Sequence, residues 1–188
     1  MDQKQLTEII AFIQRAENLK NTIRSAHTST GRPESTAEHT WRLCLLIMVL
    51  SNNLGEADPY KLLRLAVIHD LGEAVCGDVP AIAQSEADNK NEIERQGLSD
   101  LCAGLPDDVH GDIMALWDEY AAGSTPEAVI VKGLDKLETI MQHNRGKNPP
   151  DFNYAFNLDY GREYTRAHPL LKQIRELLDI STRENAES

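Results

Sequence analysis

Aromatic residues make up only 5% of this 188-residue chain, and 19 lysines and arginines face 30 aspartates and glutamates. The first shortage means that a core must be assembled mainly from Leu, Ile, Val and Ala. The second gives a formal net charge of −11. That balance argues against a nucleic-acid polymer as partner, because such proteins need a positive face for the phosphates. It argues equally against docking on an anionic membrane. A small phosphorylated ligand stays open, since a bound metal ion dominates its local field whatever the global charge. Cysteine is scarce too: Cys44, Cys76 and Cys102 are an odd count with no C-x-x-C spacing. No disulfide framework or zinc knuckle follows from them, and a reducing compartment fits best. No basic-then-apolar leader pattern follows Met1. The longest apolar run, Leu43 to Leu50, falls far short of the roughly 20 residues that span a bilayer. Together these absences predict a cytoplasmic protein.

What is present is helical periodicity. Leu6, Ile9, Ile10 and Ile13 follow i, i+3, i+4, i+7 spacing, which predicts a first amphipathic helix to about Lys20. Gly31, Pro33 and several Ser and Thr mark Asn21 to Glu34 as a loop. Ser35 or Thr36 then caps a helix running to about Asn53, apolar nearly all round and so expected at the centre of the domain. Asp58-Pro59 opens a third helix ending at His69-Asp70. Further helices are predicted over residues 81–104, from Pro106 to Gly123, from Thr125 past Met141, and from Pro169 to about Leu178. Residues 146–160 read as loop, and Arg183 to Ser188 as a frayed polar tail. No strand-period alternation of useful length and no internal repeat appears. The expectation is a single all-α domain over residues 1–180, a bundle of about six to eight helices, with a polar tail at 181–188.

Four polar residues interrupt the apolar helices. His69 and Asp70 end a run of Leu, Ala, Val and Ile, where a buried carboxylate or imidazole is costly unless paired or bound to metal. A helix-ending His followed by a capping Asp would also explain them. His39 lies one turn into its helix and by itself fits a satisfied core histidine. Asp135 breaks the stripe Ile130, Leu134, Leu137, Ile140 and by itself fits a boundary salt bridge to Lys132 or Lys136. Taken together, two imidazoles and two carboxylates on three apolar helices form a mixed N/O ligand set. It suits Mn, Fe, Co, Ni or Zn, with Mg also possible. Glu73 and Asp78 follow within the next turns and fit either a solvated acidic turn or the same site. Arg24 and Arg32 are either surface charge or phosphate contacts, for which a planar guanidinium is well shaped.

The pattern His39, His69-Asp70, Asp135 resembles the H…HD…D signature of the HD-domain superfamily of metal-dependent phosphohydrolases. It is most similar to the branch containing the 5′-deoxynucleotidases. The matching stretches, in the family's order, are Arg32–Arg42 (RPESTAEHTWR), Ile68–Asp78 (IHDLGEAVCGD), Leu116–Tyr120 (LWDEY) and Val131–Glu138 (VKGLDKLE). The resemblance covers roughly residues 15–178. It implies that His39, His69, Asp70 and Asp135 hold one divalent ion. Glu73 and Asp78 are then implied in proton handling or in holding further ions, and Arg24, with Arg32 as a second candidate, in contacting substrate phosphate. Trp117, Tyr120 and Glu138 would pack beside the ligands. His27, His110, His143 and His168 have no place in the pattern, so surface or capping roles are expected. The implied reaction is hydrolysis of nucleoside 5′-monophosphates, deoxy forms included, by a water that the ion activates. A phosphodiesterase, a nucleoside-polyphosphate hydrolase or an inactive nucleotide-binding regulatory module on the same site are the alternatives. A homodimer is expected from the family and from base rates. One departure stands out: the family's aromatic just beyond the arginine is missing, and Ser25-Ala26-His27 stands there instead.

Overall fold

The structure, a computed structural model, describes residues 1–80 and 89–187. The fold is all-α with one small hairpin. Among the described residues the helices longer than one turn are α1 (Gln3–Ala16), α2 (Thr36–Leu50), α3 (Pro59–Ile68), α5 (Lys90–Cys102), α6 (Asp107–Ala122), α7 (Pro126–Arg145) and α9 (Pro169–Ala186). Two single-turn α-helices, α4 (Glu73–Cys76) and α8 (Arg162–Thr165), and 3₁₀ turns at Glu17–Lys20, Ser51–Asn53 and Tyr154–Leu158, the last within the stretch expected as loop, complete the set among the described residues. The local sequence explains where these helices begin. Asp2 with Gln5 and Ser35 with Glu38 form reciprocal capping boxes for α1 and α2. Asp58 and Thr125 cap α3 and α7, each followed by Pro in the first turn. His168 caps α9 through its ring, as a capping role requires. Gly123, in the left-handed conformation, stops α6.

The centre of the bundle is α7, not α2. Ala128, Ile130, Val131, Leu134, Leu137 and Ile140 are buried along α7, which packs on α2, α3, α6, α8 and α9. Only one stripe of α2, Thr36, His39, Leu43 and Ile47, is buried. Trp41, Leu45, Met48 and Val49 are exposed on it. Apolar content all round α2 therefore does not mean burial all round. A similar shift occurs in α1, where Ile9, Phe12 and Ala16 meet the core while Leu6, Ile10 and Ile13 are exposed.

The loop expected at residues 21–34 contains a hairpin, β1 (Ile23–His27) with β2 (Pro33–Ser35), paired antiparallel. Strands of five and three residues are too short to show a period-2 pattern. The hairpin is tied to the bundle by the Gln142 side-chain amide, which donates to the His27 carbonyl. The helix expected over 81–104 is present as α5 from Lys90, and residues 81–88 lie outside the described residues. The last helix continues to Ala186 rather than ending near Leu178, because Thr182 and Asn185 bond to Asn144 of α7.

One close approach fixes the turn that follows α3. A Cβ on Gly97 would lie 2.9 Å from the Gly72 carbonyl oxygen, and a Cβ on Gly72 would run into the Glu94 carbonyl. The absence of side chains at both positions lets α4 and α5 touch backbone to backbone, which holds His69-Asp70 in place. Among the described residues no helix is long and apolar enough to cross a membrane.

Candidate metal centre

His39 enters the core from the first turn of α2 with its side chain fully buried. Its Nδ1 meets Glu138 of α7, whose other carboxylate oxygen accepts from Arg42 Nε at 2.6 Å. His69 closes α3, and its Nδ1–H donates to the Ala66 carbonyl at 2.7 Å. With both Nδ1 atoms so occupied, each ring presents Nε2 as a lone pair. Both Nε2 atoms are buried without a hydrogen-bond partner.

The two carboxylates meet these lone pairs. Asp135 Oδ1 lies 3.1 Å from His39 Nε2 and 4.0 Å from His69 Nε2. Asp70 Oδ2 lies 3.0 Å from His69 Nε2 and 3.8 Å from His39 Nε2. His39, His69 and Asp70 thus offer ligand atoms within 4.8 Å of one another, and Asp135 Oδ1 approaches both imidazoles from α7. The second oxygen of Asp135 is held elsewhere, by the Tyr120 hydroxyl at 3.1 Å and Lys136 Nζ at 2.9 Å. That division leaves Oδ1 free to face the imidazoles. The four predicted ligands are brought together, and the lone-pair donors fit a divalent ion of the first transition row or zinc.

Electrostatics point the same way. Burial and Arg24 push the proton off His39, but Glu138 and Asp135 outweigh them and raise its pKa to about 10. Against the pull of burial, His69 and Arg24 hold Asp70 below the usual carboxylate range. Asp135 is held down, also against burial, by Lys136 and the two histidines. The cluster is short of positive charge and takes up a cation, either a proton on His39 or a metal.

The other predicted residues divide. Glu73 is buried, accepts from the Thr36 hydroxyl at 3.0 Å, and has its pKa raised to about 9 by burial and by the charges of Asp70 and Asp78. A cavity of about 560 Å³ opens beside the quartet, with Glu73, Asp78 and Arg24 in its wall. Arg24 reaches from β1 to Asp70 (3.4 Å) and Thr139 (3.2 Å), and its buried Nε has no hydrogen-bond partner. Arg32 is not brought to this site. It is exposed, pairs with Glu38 at 2.6 Å, and supports the cap of α2. Glu34, His39 and Glu138 form a second group of possible ligands. Arg24 and Arg42 already serve as its counter-ions, so it supports His39 rather than holding an ion. Cys76 has its thiol pushed up to about 11 by burial and by Glu94 and Glu73, as an inert thiol would.

Sequence reasoning missed Lys90 and offered Lys132 and Lys136 only as salt-bridge partners of Asp135; all three bring positive charge to the cavity wall, and Lys136 does pair with Asp135 at 2.9 Å. Spacing held a signal for two of them, since Lys132 and Lys136 flank Asp135 at −3 and +1 on α7. It also missed the aromatic part of the cavity wall, formed by Phe152, Phe156, Tyr160 and Tyr164. Two of the three phenylalanines and three of the five tyrosines lie between 152 and 164, and that concentration was the visible sign.

His143, expected at the surface or as a cap, is instead buried beside this wall, with Nδ1 2.9 Å from Asn157 Oδ1. Burial pushes its pKa below the ordinary 6.5. The unfolded chain then binds a proton that the folded chain refuses, so this contribution is intact above pH 6.5 and lost as pH falls. The melting temperature is expected to drop further between pH 7.5 and 5.5 in the wild type than in His143→Asn. Parallel pH profiles by calorimetry would remove His143 from the acid sensitivity.

Comparison with known proteins gives three kinds of likeness. The family model described as the HD domain matches residues 16–175. The 5′-deoxynucleotidase HDDC2 of Dictyostelium discoideum is 29% identical over 181 residues, covering 90% of this chain and 95% of that protein. Its human counterpart is 29% identical over 136 residues, 71% of this chain, and the match spans 66% of the human protein. A crystal structure from Magnetospirillum magnetotacticum, described as a predicted metal-dependent phosphohydrolase, superposes with a TM-score of 0.84. It is 27% identical and the alignment covers 97% of this chain and 95% of that one.

Proposed function

This chain belongs to the HD-domain family, and from that premise we propose that it is a metal-dependent phosphohydrolase acting on nucleoside 5′-monophosphates, deoxy forms included. The observation that carries this is the pair of buried Nε2 atoms of His39 and His69, left without hydrogen-bond partners, with Asp70 and Asp135 carboxylate oxygens 3.0 and 3.1 Å from them beside a cavity. Relatives named 5′-deoxynucleotidase over most of the chain support the substrate class.

His39, His69, Asp70 and Asp135 would hold the divalent ion. Such an ion supplies a Lewis acid for a phosphoryl oxygen and lowers the pKa of water bound to it. The chain's own groups do the rest. Arg24 presents its guanidinium to the cavity next to Asp70 and orients the phosphate. Glu73, held by the Thr36 hydroxyl, keeps a proton at neutral pH in the metal-free protein, and from that position it serves the leaving oxygen. Asp78 shares the wall and either assists the proton or contributes to a further ion site. The cavity volume lies within the range of small-molecule sites. The three free cysteines suit a cytoplasmic setting. The exposed α2 stripe of Trp41, Leu45, Met48 and Val49 supports a homodimer with this face covered.

The test is a metal-by-substrate screen of orthophosphate release from ribo- and deoxyribonucleoside monophosphates. Chelation is expected to abolish release and metal to restore it. A metal-replete sample that releases no phosphate from any mononucleotide would end the proposed activity. Products from diesters or triphosphates would redirect it to the corresponding hydrolase. Within an active enzyme, Arg24→Ala is expected to raise KM about tenfold or more at saturating metal, the size of a lost charge-assisted contact. Unchanged kinetics would take Arg24 out of the site.

A further inference from the structure

The chain lacks an aromatic after Arg24, yet the cavity is not short of rings. Part of its wall comes from the segment after α7, where Phe152, Phe156, Tyr160 and Tyr164 are all half-buried. Two of these rings are already engaged. Tyr160 lies 5.1 Å from Lys136 Nζ and Tyr164 lies 5.3 Å from Lys132 Nζ, centroid to charge. They serve as supports for lysines. Phe152 and Phe156 carry no cation. Phe152 is braced edgewise by His143 and Tyr154, each 4.9 Å away between centroids. Phe156 is backed by Tyr160 at 5.3 Å in a stacked arrangement. Two braced apolar rings thus face a polar, charged cavity, where exposed aromatic surface is otherwise unfavourable. Beside them Asn153 uses its Oδ1 to accept from the Phe156 N–H. Its amide NH₂ remains as a donor at the rim.

We propose that Phe152 and Phe156 form the stacking surface for the planar base of the substrate, with its phosphate at the Arg24 and quartet end of the cavity. This rests on the phosphohydrolase function proposed above and narrows it, to base-bearing phosphate esters rather than sugar phosphates without a base. Stacking on a ring replaces water over an apolar face and tolerates any base, because every base has a π-face. The shelf thereby takes over what an aromatic beside Arg24 would have done, from a different part of the chain.

The experiment compares kcat/KM for deoxyadenosine 5′-monophosphate and for 2-deoxyribose 5-phosphate in wild type, Phe152→Ala, Phe152→Leu and Phe156→Ala. The wild type is expected to favour the nucleotide. Each variant is expected to reduce the nucleotide-to-sugar ratio about tenfold, chiefly through KM, which is the scale of one base–ring stack. Phe152→Leu fills the same space without a ring, so its loss separates stacking from a disturbed loop. An unchanged ratio, or no wild-type preference, would overturn the shelf. Titration calorimetry of deoxyadenosine into metal-free protein adds a readout independent of turnover. The nucleoside should bind about tenfold more weakly to the variants, and equal affinities would overturn the shelf even if the hydrolytic activity stands. Absence of phosphate release with ring-dependent nucleoside binding would instead overturn only the hydrolytic activity.

Discussion

Asp70→Ala is expected to lose the bound metal and to lower kcat/KM for a mononucleotide by at least about 10³-fold, roughly 4 kcal/mol of transition-state stabilisation. Three features make the effect large. Asp70 Oδ2 is the one atom that approaches both imidazoles and Arg24, at 3.0, 3.8 and 3.4 Å. Its removal deletes a ligand and leaves Arg24 with the Thr139 hydroxyl at 3.2 Å and the Glu34 carboxylate at 3.9 Å. It also removes the negative charge that balances an ion next to two buried neutral rings. The fold should survive, because Asp70 lines the cavity and the apolar core is built from other residues. Elemental analysis, circular dichroism and turnover on one preparation decide the matter. A folded Asp70→Ala protein with a full complement of metal and normal turnover would refute the ligand assignment.

Glu138→Gln is expected to weaken metal binding by about 10- to 100-fold, although Glu138 faces away from the ion. Its two oxygens are divided between His39 Nδ1 and Arg42 Nε. The carboxylate makes His39 a more basic ligand and fixes its ring, while Arg42 keeps the carboxylate from turning. Glutamine preserves the volume but removes the charge, so His39 is held less firmly and its Nε2 becomes a poorer donor. The deficit should show as a higher metal concentration for half-maximal activity. Excess metal should restore most of the rate, as it would not for Asp70→Ala. A metal titration that superposes on the wild type would show that His39 is positioned without Glu138.

Much of this site was legible in the sequence because polar residues in apolar helices are conspicuous. His69-Asp70 stands out at the end of Leu65-Ala66-Val67-Ile68, and Asp135 stands out inside the α7 stripe. Their neighbours were legible only through the family likeness, since Tyr120 and Glu138 read as ordinary helix residues until their partners are known. The two arginines show the opposite difficulty. Both sit in the polar segment of residues 21–34, and charge alone does not distinguish Arg24, turned inward along β1, from Arg32, bound to Glu38 at the surface. A hairpin of one five-residue and one three-residue strand made that distinction. Helix order was well marked by caps and prolines. Which helix lies at the centre was not, because α2 is as rich in apolar residues as α7 yet leaves Trp41, Leu45, Met48 and Val49 to solvent. The aromatic wall was hidden for another reason: a segment rich in Pro, Asn and Asp reads as loop, and a loop's side chains acquire a direction only from what lies beneath it.

The placement of the four donors has a consequence for the life of the chain. They come from α2, the end of α3 and the middle of α7, so His39 and Asp135, far apart in sequence, meet only through the packing of α2 on α7. No local stretch gathers more than the adjacent pair His69 and Asp70. An ion therefore cannot nucleate the structure. An ion held by these four would reward only the completed fold, so its binding energy would slow unfolding and leave the folding rate nearly untouched. A cell short of the metal would make this protein at the usual speed and lose it sooner to proteolysis.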